Sequence, residues 1–254
     1  MGLARPDTVP GPAPGTPILS LSGVCKSFGA LKVADRISFD LPKGQALGII
    51  GPNGAGKSTL FNLITGNLAV DAGTVRLNGR DVTRDSAMSR CAAGIGRSFQ
   101  IPQPFGSLSV FENVCVAASF GRNLPESAVT DDCITVLRQC GLLHRANLPA
   151  AQLSLLERKR LELARAMATV PDLLLLDEIA GGLTEGECQA LVDTIRSLHA
   201  GGVTIVWIEH VLHALTSVVE RLLVLDFGRV LAIGAPDVIM ASAEVREIYL
   251  GIDV

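Results

Sequence analysis

Gly51-Pro52-Asn53-Gly54-Ala55-Gly56-Lys57-Ser58-Thr59 fits the pattern G-x-x-x-x-G-K-[ST] and directly follows the apolar run Ala46-Leu47-Gly48-Ile49-Ile50. A buried strand, a tight glycine-rich loop and a helix in that order commit the chain to an α/β core. Glycines let the loop turn sharply and aim its N–H groups inward, which makes a cradle for an anion. Lys57 can neutralise β- and γ-phosphates there, and the Ser58 hydroxyl can ligate Mg²⁺. The helix opened by Ser58-Thr59-Leu60-Phe61 presents its positive end to the same place. A glycine-rich turn of no chemical consequence is the alternative, and the preceding strand argues against it. Alone, the loop implies only that a nucleoside triphosphate binds.

A second apolar run, Leu173-Leu174-Leu175-Leu176, ends in Asp177-Glu178. Strands of α/β sheets place ligands at their C-terminal ends, so Asp177 is set to hold Mg²⁺ through water. Glu178 beside it can polarise an attacking water as a general base. Lys57 and Asp177 stand about 120 positions apart, far more than one βαβ unit needs. The interval requires an inserted unit. The stretch from about 101 to 168 has helical texture, with Ser109/Glu112 and Ser154/Glu157 each matching the capping-box pattern at a helix start.

The remaining chain supports this plan. Ile18 to Val24 reads as a strand, and Ile37, Phe39 and Leu41 alternate with polar residues as in a strand with one wet face. Thr74 to Leu77 and Ile95 to Gln100 read as further strands, and 130–140 as a helix. After Asp177 helices and strands alternate: helix 186–199, strand 203–208, helix 211–219, strand 222–226. Asp226-Phe227-Gly228-Arg229 reads as the turn of a hairpin, and its D-F-G letters lack every other kinase element. The expected fold class is α/β: a P-loop NTPase core with a small antiparallel β subdomain and an inserted helical subdomain. Residues 1–17 hold five of the 13 prolines and are expected to be a disordered tail before a single domain over 18–254.

Composition excludes several classes. Hydrophobic residues make up 48% of the chain, yet no run of eighteen apolar residues occurs, so no membrane span is expected. Net charge is −3, from 22 basic and 25 acidic residues, which leaves no electrostatic footprint for nucleic acid. Arg158-Lys159-Arg160 reads as a solvated helix face. The six cysteines form no C-x-x-C pair and read as small core or surface residues of a reducing compartment. His144, His199 and His213 read as surface residues.

Taken in order, these motifs resemble the ATP-binding subunits of ABC transporters over nearly the whole length, from Ile18 to Gly251. The resemblance implies further roles. Phe28, in Lys26-Ser27-Phe28-Gly29, matches the aromatic that stacks on adenine. Gln100, closing Gly96-Arg97-Ser98-Phe99-Gln100, matches the glutamine that senses Mg²⁺ and the γ-phosphate and borders the contact with the membrane domain. His210, in Trp207-Ile208-Glu209-His210, matches the histidine that holds the γ-phosphate. Leu153-Ser154 ahead of Arg158-Lys159-Arg160-Leu161 matches the signature region, in which Ser154 would face the nucleotide of a partner cassette. On this resemblance, Lys57, Gln100, Glu178 and His210 carry catalysis, and Ser58, Gln100 and Asp177 serve Mg²⁺.

Two departures from the family pattern stand out. The signature, usually Leu-Ser-Gly-Gly-Gln, reads Leu153-Ser154-Leu155-Leu156-Glu157, which puts a leucine where backbone and phosphate approach closely. The D-loop reads Gly181-Gly182-Leu183-Thr184, closer to the Gly-Leu-Asn form of branched-chain amino-acid transport ATPases. The expectation is a second ATPase subunit with a regular signature, in a heterodimer, with a homodimer as the other possibility. Gly94 to Val116 is similar to importers of branched-chain amino acids and related compounds such as urea. That implies permease subunits, an extracytoplasmic solute-binding protein and a position on the cytoplasmic face of the membrane. A non-transport ABC ATPase of DNA repair or translation, or a P-loop small-molecule kinase, remains the alternative.

Overall fold

The continuous apolar runs become the middle of one sheet. In the computed structural model, which describes residues 16–250 and side chains through Glu247, six strands line up in the order β10-β9-β3-β8-β7-β6. They are β3 (Ala46–Ile50), β6 (Ile95–Arg97), β7 (Leu173–Asp177), β8 (Thr204–Ile208), β9 (Arg221–Asp226) and β10 (Arg229–Gly234). All pairs are parallel except the β9–β10 hairpin. β3, β7 and β8 are buried at every residue, which is why they read as unbroken apolar runs. Alternate residues feed two cores. Leu173 and Leu175 pack on one face, Leu174 and Leu176 on the other.

The first face is covered by α1 (Lys57–Thr65) and by a second, antiparallel sheet in the order β2-β1-β4-β5. Its strands are β1 (Leu19–Phe28), β2 (Leu31–Leu41), β4 (Ala72–Leu77) and β5 (Arg80–Asp81). A short helix, α2 (Ala87–Ala92), follows, and the buried Arg90 on it donates to the carbonyls of Leu63 and Ile64 at the end of α1. The opposite face carries α3 (Val110–Arg122), α4 (Glu126–Gln139) and α5 (Leu155–Ala168), then α6 (Glu185–Ala200) and α7 (Leu212–Thr216). Two short helices, α8 (Pro236–Ala241) and α9 (Ala243–Leu250), end the described chain.

Helix starts are specified locally. Ser109/Glu112, Ser154/Glu157 and Thr184/Glu187 each form a complete capping box at α3, α5 and α6, each cap contributing about 1 kcal/mol. Several boundaries differ from the sequence expectation: β1, expected over 18–24, runs on to Phe28. The strand expected over 95–100 ends at Arg97, because the Ser98 hydroxyl accepts from Asp177 N at 3.4 Å and takes the place of a ladder carbonyl. The helix expected from 130 begins at Glu126, where Pro125 presets the backbone at the N-cap. The helix expected over 211–219 spans only Leu212–Thr216, starting without a side-chain cap. The expected tail lies outside the described residues except for Thr16 and Pro17, as does Gly251.

All six cysteines are free, and four of them are buried. Among the described residues no helix is long and apolar enough to cross a membrane.

Candidate active site at the C-terminal edge of the sheet

The P-loop leaves β3 in the middle of the sheet, with β8 between it and β7. Its glycines are needed for different reasons. A Cβ on Gly51 would stand 2.1 Å from the Leu225 carbonyl oxygen, and one on Gly56, at φ +101°, would stand 2.7 Å from that of Val33. Gly54 has φ +83° but open space around it. Asn53 and Gly54 are exposed, Pro52 is half-buried, and the buried Ala55 accepts from Gly228 N at 2.9 Å, tying the loop to the β9–β10 turn. α1 begins with no side-chain cap and no acidic residue in its first turn, so its leading amides are left for an anion.

Lys57 is buried, and its Nζ donates to the carbonyls of Gly51 at 2.7 Å and Pro52 at 3.0 Å. Burial holds its pKa below the ordinary lysine value, against the opposing pull of Glu178 and Asp177. Ser58 is exposed at the mouth of the loop and Thr59 is half-buried.

Asp177 ends β7, almost wholly buried. Its Oδ2 accepts from Arg97 Nη2 at 2.7 Å, while Oδ1 is buried with no hydrogen-bond partner. Glu178 has left-handed backbone, φ +46°, and its N–H donates to the Ile208 carbonyl at 2.8 Å. That turn swings the side chain between two partners. Gln100 Nε2 donates to Glu178 Oε2 at 2.6 Å, and His210 Nε2 lies 2.9 Å from Oε1. Glu209, buried beside it, accepts from the backbone N–H groups of His210 and Ala180 and fixes both loops.

The structure therefore brings Lys57, Gln100, Asp177, Glu178 and His210 to one edge. It does not bring Phe28 or Ser154 into that hydrogen-bond network. Phe28, at the end of β1, is 53% exposed with the Lys26 ammonium 5.7 Å from its ring. Ser154 accepts from Glu157 N and donates its own N–H to Glu157, all within the first turn of α5. The signature and D-loop departures meet: Leu155 rests over Gly182, where a Cβ would stand 3.5 Å from its Cδ2.

Two sequence readings are corrected. Arg158 is exposed, but Lys159 is not part of a solvated face. It is buried, donating to the Gln100 carbonyl at 2.8 Å and the Glu178 carbonyl at 3.4 Å. A helix facing the core every three to four residues can put one member of a basic run inside, and Leu156, Lys159 and Leu163 share that spacing. Arg97, unremarked in sequence beyond its place in the Gly96–Gln100 run, is the half-buried partner of Asp177. His199 is likewise half-buried, bonded to Glu220.

A parallel sheet carrying a P-loop, an acidic strand end beside it and a helical excursion between them defines a P-loop nucleoside triphosphatase of the cassette type. Residues 34–181 match the family model described as ABC transporter, and the chain belongs to that family as an ATPase subunit of transporters. It is 36% identical to a probable ABC transporter ATP-binding protein of Azorhizobium caulinodans, across 94% of this chain and 85% of that one. It is 33% identical to the high-affinity branched-chain amino acid transport ATP-binding protein LivG of Escherichia coli, across 92% and 98%. A solved nucleotide-free cassette from an ABC transporter superposes with a TM-score of 0.85 at 30% identity, covering 93% of this chain and all of that one.

Proposed function

We propose that this cassette, residues 18–254 with a helical insert over about 101–168, drives an importer of branched-chain amino acids or related small polar compounds. Support comes from the similarity to LivG along almost its full length. In relatives of this family the ATPase works with membrane permease subunits. We place the chain on the cytoplasmic face, with a solute-binding protein on the far side of the membrane. A cavity of about 230 Å³ lined by Arg97, Phe99, Ala117, Glu162 and Arg165 offers the permease a seat next to the loop that carries Gln100.

The observation that carries the catalytic reading is the double hold on Glu178 by Gln100 and His210. ATP would lie with adenine on Phe28 and its phosphates in Gly51–Thr59, with Lys57 moving from the loop carbonyls to the phosphates. Glu178 would accept a proton from the attacking water, and His210 would hold the γ-phosphate. The residues fit Mg²⁺: Ser58, Gln100 and Asp177 offer hard oxygens, and Asp177 Oδ1 is a buried oxygen without a partner. Among the described residues no cluster of three or more acidic, His or Cys side chains could hold a metal alone, so nucleotide oxygens would complete the shell. Mg²⁺ there would draw charge from the phosphate oxygens. Ser154 would serve the nucleotide of the second ATPase subunit. Leu155 and Leu156 favour a heterodimer in which that subunit supplies a regular signature.

The test is to purify the chain from membranes with its partners attached and to measure uptake of labelled leucine, isoleucine and valine after its deletion. Recovery of permease subunits and lost uptake support the reading. Normal uptake with the chain absent overturns the substrate assignment, and recovery of nucleic-acid-bound partners instead overturns the transport assignment.

A further inference from the structure

Arg97 is an edge-strand arginine turned inward, with its Nε buried and without a partner. Its side chain is 9% exposed, and its guanidinium is gripped on one edge by two acceptors, Asp177 Oδ2 at 2.7 Å and Asn62 Oδ1 at 2.6 Å. Phe99 and Phe61 flank it, with ring centres 4.9 and 5.6 Å from the guanidinium carbon. Its backbone pairs with Leu175, two residues before Asp177. Asn62 sits on α1, the helix that opens with Lys57. One cation therefore spans the strand that ends in Asp177 and the helix that begins at the P-loop. Arginine stays charged at any working pH, so this is a permanent positive charge.

The consequence falls on Asp177. One carboxylate oxygen is taken, and the other is buried without a partner. An ordinary structural ion pair in so closed a place satisfies both oxygens, because a buried lone acceptor is costly. Here the pair leaves one oxygen free and locks its direction.

We propose that Arg97 is a positioning residue of the Mg²⁺ site: a built-in counter-cation that occupies Asp177 Oδ2 and so turns Oδ1 toward the metal's water. This rests on Asp177 being the carboxylate of that site. Loss of the outer partner of a metal-binding carboxylate weakens metal affinity by about 10- to 100-fold.

The experiment uses the full chain and a non-hydrolysable ATP analogue, so that no turnover is required. The rise in thermal unfolding midpoint is followed as Mg²⁺ is titrated into the nucleotide-bound protein, and nucleotide affinity is measured separately in EDTA. Arg97→Met should raise the Mg²⁺ half-saturation about 10- to 100-fold and leave affinity in EDTA within about twofold. Arg97→Lys, which keeps the charge but offers no planar fork to two acceptors, should fall between. Asn62→Ala removes the guanidinium's second acceptor, at Nη1, without removing charge, and should shift the half-saturation the same way by less. It also decides the matter if Arg97→Met does not fold. An unchanged half-saturation in Arg97→Lys and Asn62→Ala, with only the midpoint lowered, makes Arg97 a structural ion pair and overturns the proposal. Asp177→Asn separates the two failures. If it too leaves the Mg²⁺ response unchanged, the metal-site reading itself is wrong.

Discussion

His210 Nε2 lies 2.9 Å from Glu178 Oε1, joining the ends of β8 and β7, and Gln100 occupies the other oxygen of the same carboxylate. Glu178 is thus oriented from two sides. Glu178→Gln should lower steady-state ATP hydrolysis by about 100-fold or more while ATP still binds, since only the proton acceptor is removed. His210→Ala should lower kcat by a similar factor with little change in KM. Unchanged turnover in Glu178→Gln removes that residue from the role of general base.

The P-loop glycines should respond unequally. Gly56→Ala places a methyl 2.7 Å from the Val33 carbonyl at a left-handed φ, so it should abolish ATP binding and lower the unfolding midpoint. Gly54→Ala meets no neighbour and carries only the left-handed penalty of roughly 1–2 kcal/mol. Equal losses in the two variants would show that φ alone, and not close approach, sets the requirement.

Leu155 is 44% exposed and Leu156 packs against the core of the helical region. Replacing both with glycine should raise ATPase activity where this chain's signature serves a partner's nucleotide. Leu156→Gly should cost about 1–3 kcal/mol of stability through lost packing and helix propensity. No gain from the double change, together with full activity from a homodimer of the native chain, would sink the heterodimer reading.

His199 and Glu220 make the stability of the sheet's entry edge pH-dependent. His199 bonds Glu220 Oε1 at 2.7 Å, and Glu220 Oε2 accepts from Ala46 N at the start of β3. Burial lowers the pKa of His199, but the Val203 carbonyl and Glu220 outweigh it, and the net shift is upward. The pair's contribution is then fully present below the unfolded value of about 6.5 and is lost as pH rises through the raised one. Burial raises the pKa of Glu220, but His199 and the Ala46 amide bring it below the ordinary value, so its share is lost only as pH falls through that lowered value. His199→Gln should therefore lower the unfolding midpoint more at pH 6 than at pH 8.5. Glu220 is half-exposed, which keeps the effect within about 1 kcal/mol. Equal losses at both pH values would leave a neutral hydrogen bond as the whole effect.

Most of the architecture was legible because buried parallel strands and capping boxes are local signals. Leu173–Leu176 had to be a strand covered on both sides, and Ser109 and Ser154 marked their helices within a turn. The start of α4 carries no capping signal, because Pro125 and not a capping side chain sets it. Lys159 is not legible as buried because a three-residue basic run has the same letters whether it faces water or the core.

What the sequence determined by itself is a set of local commitments. The loop from Gly51 to Thr59 must turn, its helix must begin bare, and Asp177-Glu178 must end a buried strand. What only the tertiary structure decided is which distant groups share a charge. Arg97 reaches Asp177 across 80 residues and Gln100 reaches Glu178 across 78, because β6 lies beside β7 in the sheet. Sequence patterns report spacing along the chain. An ion pair depends on distance through space, which strand order alone supplies.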